Sequence, residues 1–443
     1  MISLLLLSAC ALTAYVIWRT GIFSPASIVS AFSVMSLLVF WWVVFSGVDS
    51  VVHSSGLSWE IKDYSQQAPT VIAIYTLIIA VTALATIRLP GKSEESSESD
   101  SVSDYILAFL TRFLVSSAIP IVAFGLFFLT ALHLLLSLSS YSDFALTKII
   151  SQGSGPICIM ICCLAIYSWR SQNPLVRTIL GITFAYHYLL LLAFYSRYTS
   201  LTWTIAAILL ISQRMAARKR PFTAGIVVCL ACSVWFFLFA LQGRTYRNSD
   251  SNFSHINVGQ IADTLFSVKA DDTTLSTVTM NIFQGPLVLA EALRMTPLTY
   301  PSKYEMISFS PFPAFVDGWQ KINDLQYRVN RYTPFNAFAE LYYFGWAYIL
   351  AFILIFIVCI RILTRVYLQL GPVVGLLLMS PCVYALLYLH QYPLRNSIRL
   401  IYYTTVVVYF LSQSLYKRAL VARGRSAQSG YNPSVPLLRA AQR

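Results

Sequence analysis

The stretch "HQYPLRNSIRLIYY", His390–Tyr403, sets two arginines at the mouth of an apolar run. Arg395 and Arg399 are four residues apart and share one face if the segment is helical. A guanidinium one turn inside a membrane-crossing helix costs several kcal/mol unless it has a partner. The reading therefore turns on whether this run crosses a membrane, and from which side.

Composition answers the first point. The 443 residues are 57% hydrophobic and 11% charged, and mean hydropathy is +0.66. A soluble domain carries about 25% charged residues. Apolar runs near the ~20 residues that cross the hydrocarbon core recur along the whole chain. The expected spans are 2–18, 27–47, 70–88, 113–137, 155–170, 177–196, 199–213, 222–242, 338–360, 371–391 and 396–415. The fold class expected is all-α: a polytopic bundle of about eleven spans. Residues 1–242 form an N-terminal set of helices with an acidic, disordered linker at 91–104. Residues 243–337 form one large loop, 338–415 the C-terminal helices and 416–443 a basic tail.

The distribution of lysine and arginine sets the orientation. With the C-terminus inside, the cytoplasmic segments hold eighteen of the 31 basic residues, the long loop eight and the short external loops five. That asymmetry predicts an external N-terminus, an internal C-terminus and an external 243–337. It also accounts for the net charge of +13 without a nucleic-acid partner, and it puts the basic tail beside anionic lipid headgroups.

Several activities lack their motifs. The chain has no GxGxxG, no GxxxxGK[ST] and no GxSxG, which argues against a nucleotide-driven pump or a serine hydrolase. The five histidines are scattered and the cysteines lie in apolar runs, so neither a metal site nor a disulfide framework is expected. Cys229 and Cys232 form a CxxC that reads as i,i+3 packing inside a span. "MISLLLLSAC" imitates a lipidation signal but has no positive n-region, and reads as an uncleaved helix. No cofactor is expected.

The 243–337 segment is more than a polar tether. Leu287, Leu289, Ala290 and Leu293 predict a short helix, followed by prolines at 297, 301, 311 and 313. Tyr300, Tyr304, Phe309, Phe312 and Trp319 gather within twenty residues. Such rings can lie in the membrane interface or stack on sugars. As sugar-stacking groups the candidates are Tyr304, Phe312, Trp319 and, further on, Tyr342.

Five arginines fall where the positive-inside rule expects few: Arg197 in "FYSRYTS", Arg244 and Arg247 in "LQGRTYR", and Arg395 and Arg399. Each can be a snorkelling anchor. Together, beside the positive end of a helix, they can equally make an anion site, and the guanidinium fork suits phosphate. In "RYTPFNAFAELYYFGW", Thr333 is the expected cap of a helix beginning at Pro334. Glu340 two turns later is either an ion-pair partner for an arginine or a base for a sugar hydroxyl.

"SFSPFPAFVDGW" followed by "TPFNAFAELYYFGWAYIL" resembles the signature of bacterial oligosaccharide repeat-unit polymerases of the Wzy type. "FYSRYTS" and "PLRNSIR" resemble the arginine motifs of that family. The resemblance covers about 195–400 in pieces. It implies a GT-C-like glycosyltransferase of the bacterial inner membrane, moving a growing glycan from undecaprenyl diphosphate to the next lipid-linked unit. It also implies that Arg197, Arg244 or Arg247, and Arg395 or Arg399 bind or stabilise the diphosphate, with Glu340 as the candidate base. A flippase and a chain-length regulator are the partners that go with such a role. The rivals are an O-antigen ligase, for which the loop histidine would be His255, a lipid-linked oligosaccharide flippase, and an assembly protein without chemistry.

Overall fold

The computed structural model describes residues 2–46, 50–52, 58–60, 64–87, 89, 119–138, 150, 154–155, 157–162, 165–166, 172–196, 198–216, 223–243, 258–268, 283–295, 302–312, 327–329 and 334–429. The first helices are α1 (Ile2–Thr20), α2 (Pro25–Phe45), α3 (Ala68–Thr86) and α4 (Ile119–Leu138). Then come α5 (Pro174–Ala193), α6 (Tyr198–Ala216), α7 (Ala224–Gln242) and α8 (Val258–Phe266). The last are α9 (Gly285–Arg294), α10 (Ser302–Phe309), α11 (Ala337–Phe344), α12 (Trp346–Tyr388) and α13 (Leu394–Ser429). Among the described residues, the departure from the expected all-α chain is a two-stranded sheet of β1 (Ser50–Val52) and β2 (Ser58–Glu60).

Among the described residues, seven helices are long and apolar enough to cross a membrane: α1, α2, α3, α4, α5, α7 and the Trp346–Leu370 part of α12. Tyr198–Ile211 is a shorter apolar helix. The chain is a helical membrane protein. Its helices keep large apolar side chains on the outside, such as Leu4 at 71% and Phe128 at 68% exposure, as lipid-facing surfaces do. The caps are local and readable: Ser24 accepts from Ser27 N–H at 3.1 Å ahead of Pro25, and Asn173 accepts from Leu175 N–H at 3.0 Å ahead of Pro174.

The described helices divide between two compact units, each described here by itself. One holds α1–α3 and α9–α13. Its first three helices pack on one another, and α12 packs on α2, α3 and α13. Along α2, Ser24, Ser27, Ser30, Ser33 and Ser36 are all fully buried. Small residues at this spacing let membrane helices approach closely. The other unit holds α4–α8, with α4 on α5, α6 on α7, and α8 against both α5 and α7. The long 243–337 segment is thus shared: α8 belongs to the second unit, and α9 and α10 to the first.

Three expectations need correction. The expected 338–360 span is two elements: α11 ends at Gly345, whose φ of +92° and ψ of 178° suit glycine alone, and the apolar crossing starts at Trp346. The expected break at 361–370 is helical, with Arg361 and Arg365 exposed on α12. The reversal lies further on. A straight α12 would put Phe352 and Tyr388 roughly 54 Å apart. Yet Phe338 touches both Phe352 (ring centroids 6.3 Å) and His390 (5.1 Å), and Cys359 and Cys382 both reach Thr405. Both pairs are centred near Gly371–Pro372, so the chain doubles back near that point. Lastly, the basic tail is helical at its start, because α13 runs through to Ser429.

Candidate functional site

The site is built where α9, α10 and α11 meet the first turns of α13, all within one unit. Asn336, not Thr333, caps α11. Its Oδ1 accepts from Ala339 N–H at 2.8 Å, and its Nδ2 donates to the Gly285 carbonyl at 2.7 Å and the His390 carbonyl at 3.1 Å. One buried amide therefore joins the start of α9, the start of α11 and the turn after α12. The approach is close. A Cβ on Gly285 would lie 2.3 Å from the His390 oxygen and 2.6 Å from the Tyr75 hydroxyl. The His390 ring is enclosed by Phe32, Tyr75 and Phe338, with Ser33 Oγ 3.4 Å from its Nε2. Thr333 lies outside the described residues.

Glu340 projects from α11 and is fully buried. Its Oε1 accepts from the Tyr304 hydroxyl of α10 at 2.5 Å, and its Oε2 from Leu394 N–H at 2.9 Å. Leu394 is the first residue of α13, so the carboxylate satisfies one of the orphan donors at that helix start and faces its positive end. Burial pushes the Glu340 carboxyl up to about 7, against the downward pull of those two hydrogen bonds.

Arg395, the next residue, is also fully buried. It donates through Nη1 to the Ile307 carbonyl and through Nη2 to the Phe312 carbonyl, the latter at 3.4 Å. Arg399 is part-buried. It donates to the Arg395 carbonyl and to the Phe312 carbonyl, each at 3.4 Å, while Tyr403 donates to the Pro311 carbonyl. Residues 395, 399 and 403 share one face over roughly 12 Å of α13. The chain from Ile307 to Phe312 is strapped along that face.

The aromatic candidates separate on exposure. Tyr304 is fully buried, against Tyr327 and Phe344, so its ring offers no face to a sugar. Phe312 and Tyr342 are exposed, at 58% and 48%. Arg197, Arg244, Arg247, Trp319 and His255 lie outside the described residues. Sequence reasoning missed Asn336, Gly285 and His390. The first carried a usable signal, an Asn three residues before Ala339 at the head of an apolar helical run. The other two act through tertiary packing. Among the described residues, no group of three or more His, Cys, Asp or Glu side chains could hold a metal ion.

Chemically, the site offers a fixed cationic surface at the N-terminal end of α13, with Arg399 its accessible member. The chain matches no protein-family model, no curated protein and no solved structure.

Proposed function

We propose that this protein is a polytopic glycosyltransferase of about eleven spans and GT-C-like architecture. It extends a glycan by transferring it from undecaprenyl diphosphate to the next lipid-linked repeat unit at the periplasmic face of the bacterial inner membrane. The observation that carries the reading is Arg399. It is a part-buried guanidinium one turn into α13, held by backbone carbonyls beside the exposed rings of Phe312 and Tyr403. A lipid diphosphate leaving group needs fixed positive charge as its bond to the sugar breaks, and a positioned guanidinium supplies it. The donor arrives activated, so no nucleotide-sugar site is required. Arg395 supports the site from behind. Arg197, Arg244 and Arg247 belong to the same proposal through their motifs.

Deleting the gene tests this by product. A polymerase defect leaves single units exported and attached, so extracted lipopolysaccharide collapses to core plus one repeat. Polymer accumulating on the lipid carrier with no attached repeats would make the protein a ligase. Units held on the cytoplasmic side would make it a flippase. If the product is a capsule or exopolysaccharide, the same pattern is read on that polymer.

A further inference from the structure

We propose that Glu340 is a positioning residue rather than the proton acceptor of the reaction: it locks α10 and α13 together and so fixes where Arg399 stands. The inference rests on the reading of Arg399 as the phosphate ligand. A general base must reach the proton it removes. Glu340 is fully buried, and each of its oxygens already accepts a hydrogen bond from a different element.

Those bonds close a ring. Glu340 holds Leu394, and Arg395, the next residue, reaches back to the Ile307 carbonyl on α10. Tyr304, three residues before Ile307, returns to Glu340. The ring fixes the strap on which Arg399 rests, because the Phe312 carbonyl accepts from both arginines. Losing the carboxyl would release Leu394 N–H and Tyr304, and so loosen the N-terminal turn of α13 and the body of α10 while the arginine bonds to the strap remain.

The groups around the carboxyl agree. Tyr304 faces it from α10 and Leu394 N–H from α13, and Tyr327 from the chain ahead of α11 interacts with it electrostatically. A protonated carboxyl, or an amide, still presents an oxygen to Leu394 N–H, and Tyr304 can reverse its hydroxyl to match. A positioning role therefore tolerates Glu340→Gln, whereas a base does not.

The test uses the full chain in lipid nanodiscs, with hydrogen exchange over 302–312 and 394–403, and with affinity for a short-chain prenyl diphosphate. Glu340→Gln should keep exchange protection, probe affinity and turnover within roughly 3-fold of wild type. Glu340→Ala should lose protection in both segments and weaken probe binding roughly 10-fold or more. Tyr304→Phe, which removes one link and leaves the carboxyl, should lose protection mainly in 302–312. It stands in if Glu340→Ala does not fold. A Glu340→Gln protein with protection and binding intact but turnover down about 100-fold or more would make Glu340 the base and overturn the proposal. Unchanged exchange in Glu340→Ala, or in Tyr304→Phe where it is the stand-in, would overturn it as well. If wild type does not bind the prenyl diphosphate while these exchange results hold, the reading of Arg399 fails and the locking role of Glu340 stands.

Discussion

Arg395 and Arg399 look interchangeable in sequence, and their replacement by alanine should separate stability from function. Arg395 is fully buried and gives charged hydrogen bonds to two carbonyls. Such bonds are worth about 1.5–3 kcal/mol each. Both carbonyls keep a second donor, Ser310 N–H for Ile307 and Arg399 for Phe312, so the lower end applies. The bond to Phe312 is long, at 3.4 Å, and counts little, so Arg395→Ala should cost about 2 kcal/mol, before any cavity term. Arg399 is part-buried and its bonds are long, at 3.4 Å, so its loss should cost about 1 kcal/mol or less. At about 2 °C per kcal/mol for a chain of this size, the melting midpoint should fall about 4 °C for Arg395→Ala and about 2 °C or less for Arg399→Ala. The assay is monomer recovery on size exclusion after heating in detergent, beside polymer formation in a deletion strain. Arg399→Ala should insert normally and make no polymer. Arg399→Lys should recover part of it, since a point charge cannot replace a planar fork. Equal midpoint losses, or full-length polymer from Arg399→Ala, would show that the two arginines do not divide the work in this way.

Three further outcomes are expected. Burial holds the Glu340 carboxyl near 7, above its ordinary 4.5, so the folded chain keeps a proton that the unfolded chain releases between those values. The associated stability is full below pH 4.5 and lost as pH rises toward 7, so the wild-type midpoint should fall over that window more than that of Glu340→Gln. Gly285→Ala should lower the midpoint by an amount matching about 1–3 kcal/mol, because its Cβ meets the His390 oxygen and the Tyr75 hydroxyl; an unchanged midpoint would contradict the close approach. Thiol labelling in intact cells should find cysteines placed at 280 accessible from outside and at 95 and 425 only from inside; a cytoplasmic 280 would put every arginine of the site on the wrong face.

Span prediction worked where the signal is local. The expected 27–47, 70–88 and 222–242 match α2, α3 and α7 to within a few residues, because crossing a bilayer is a property of one uninterrupted apolar run. The site was less legible because its partners are distant in sequence. Glu340 meets Leu394 fifty-four residues on, and Arg395 meets Ile307 eighty-eight residues back. The pattern shows a carboxyl and two guanidinium groups near one membrane boundary, and an ion pair is the simplest guess. The folded chain gives the carboxyl a helix N-terminus and the guanidinium groups a row of carbonyls. Tyr304 was misjudged for the same reason, since a tyrosine in a polar, proline-rich loop looks exposed until its carboxylate partner is known. The Thr333–Pro334 signal competed with Asn336, and Asn336 won through its bonds to Gly285 and His390.

The use of carbonyls has its own logic. Pro311 has no N–H to give the Ile307 carbonyl, and α10 ends at Phe309, so the Pro311 and Phe312 carbonyls have no helical turn to donate to them. If α13 enters the membrane as proposed, water cannot be relied on to replace the missing donors. Side chains on the helix must do so, at intervals that match its turns. Arg395, Arg399 and Tyr403 stand at those intervals, and a guanidinium, with five donors in a planar fork, can serve two carbonyls at once. A bond from arginine to a backbone carbonyl fixes the direction of the side chain. The same contacts that make the prolines tolerable therefore orient both guanidinium groups at the start of the helix, with Arg399 nearer the surface. On the proposed function, an anion arriving there would meet a guanidinium that is already oriented, and such an arrangement would stabilise a departing diphosphate at least reorganisation cost.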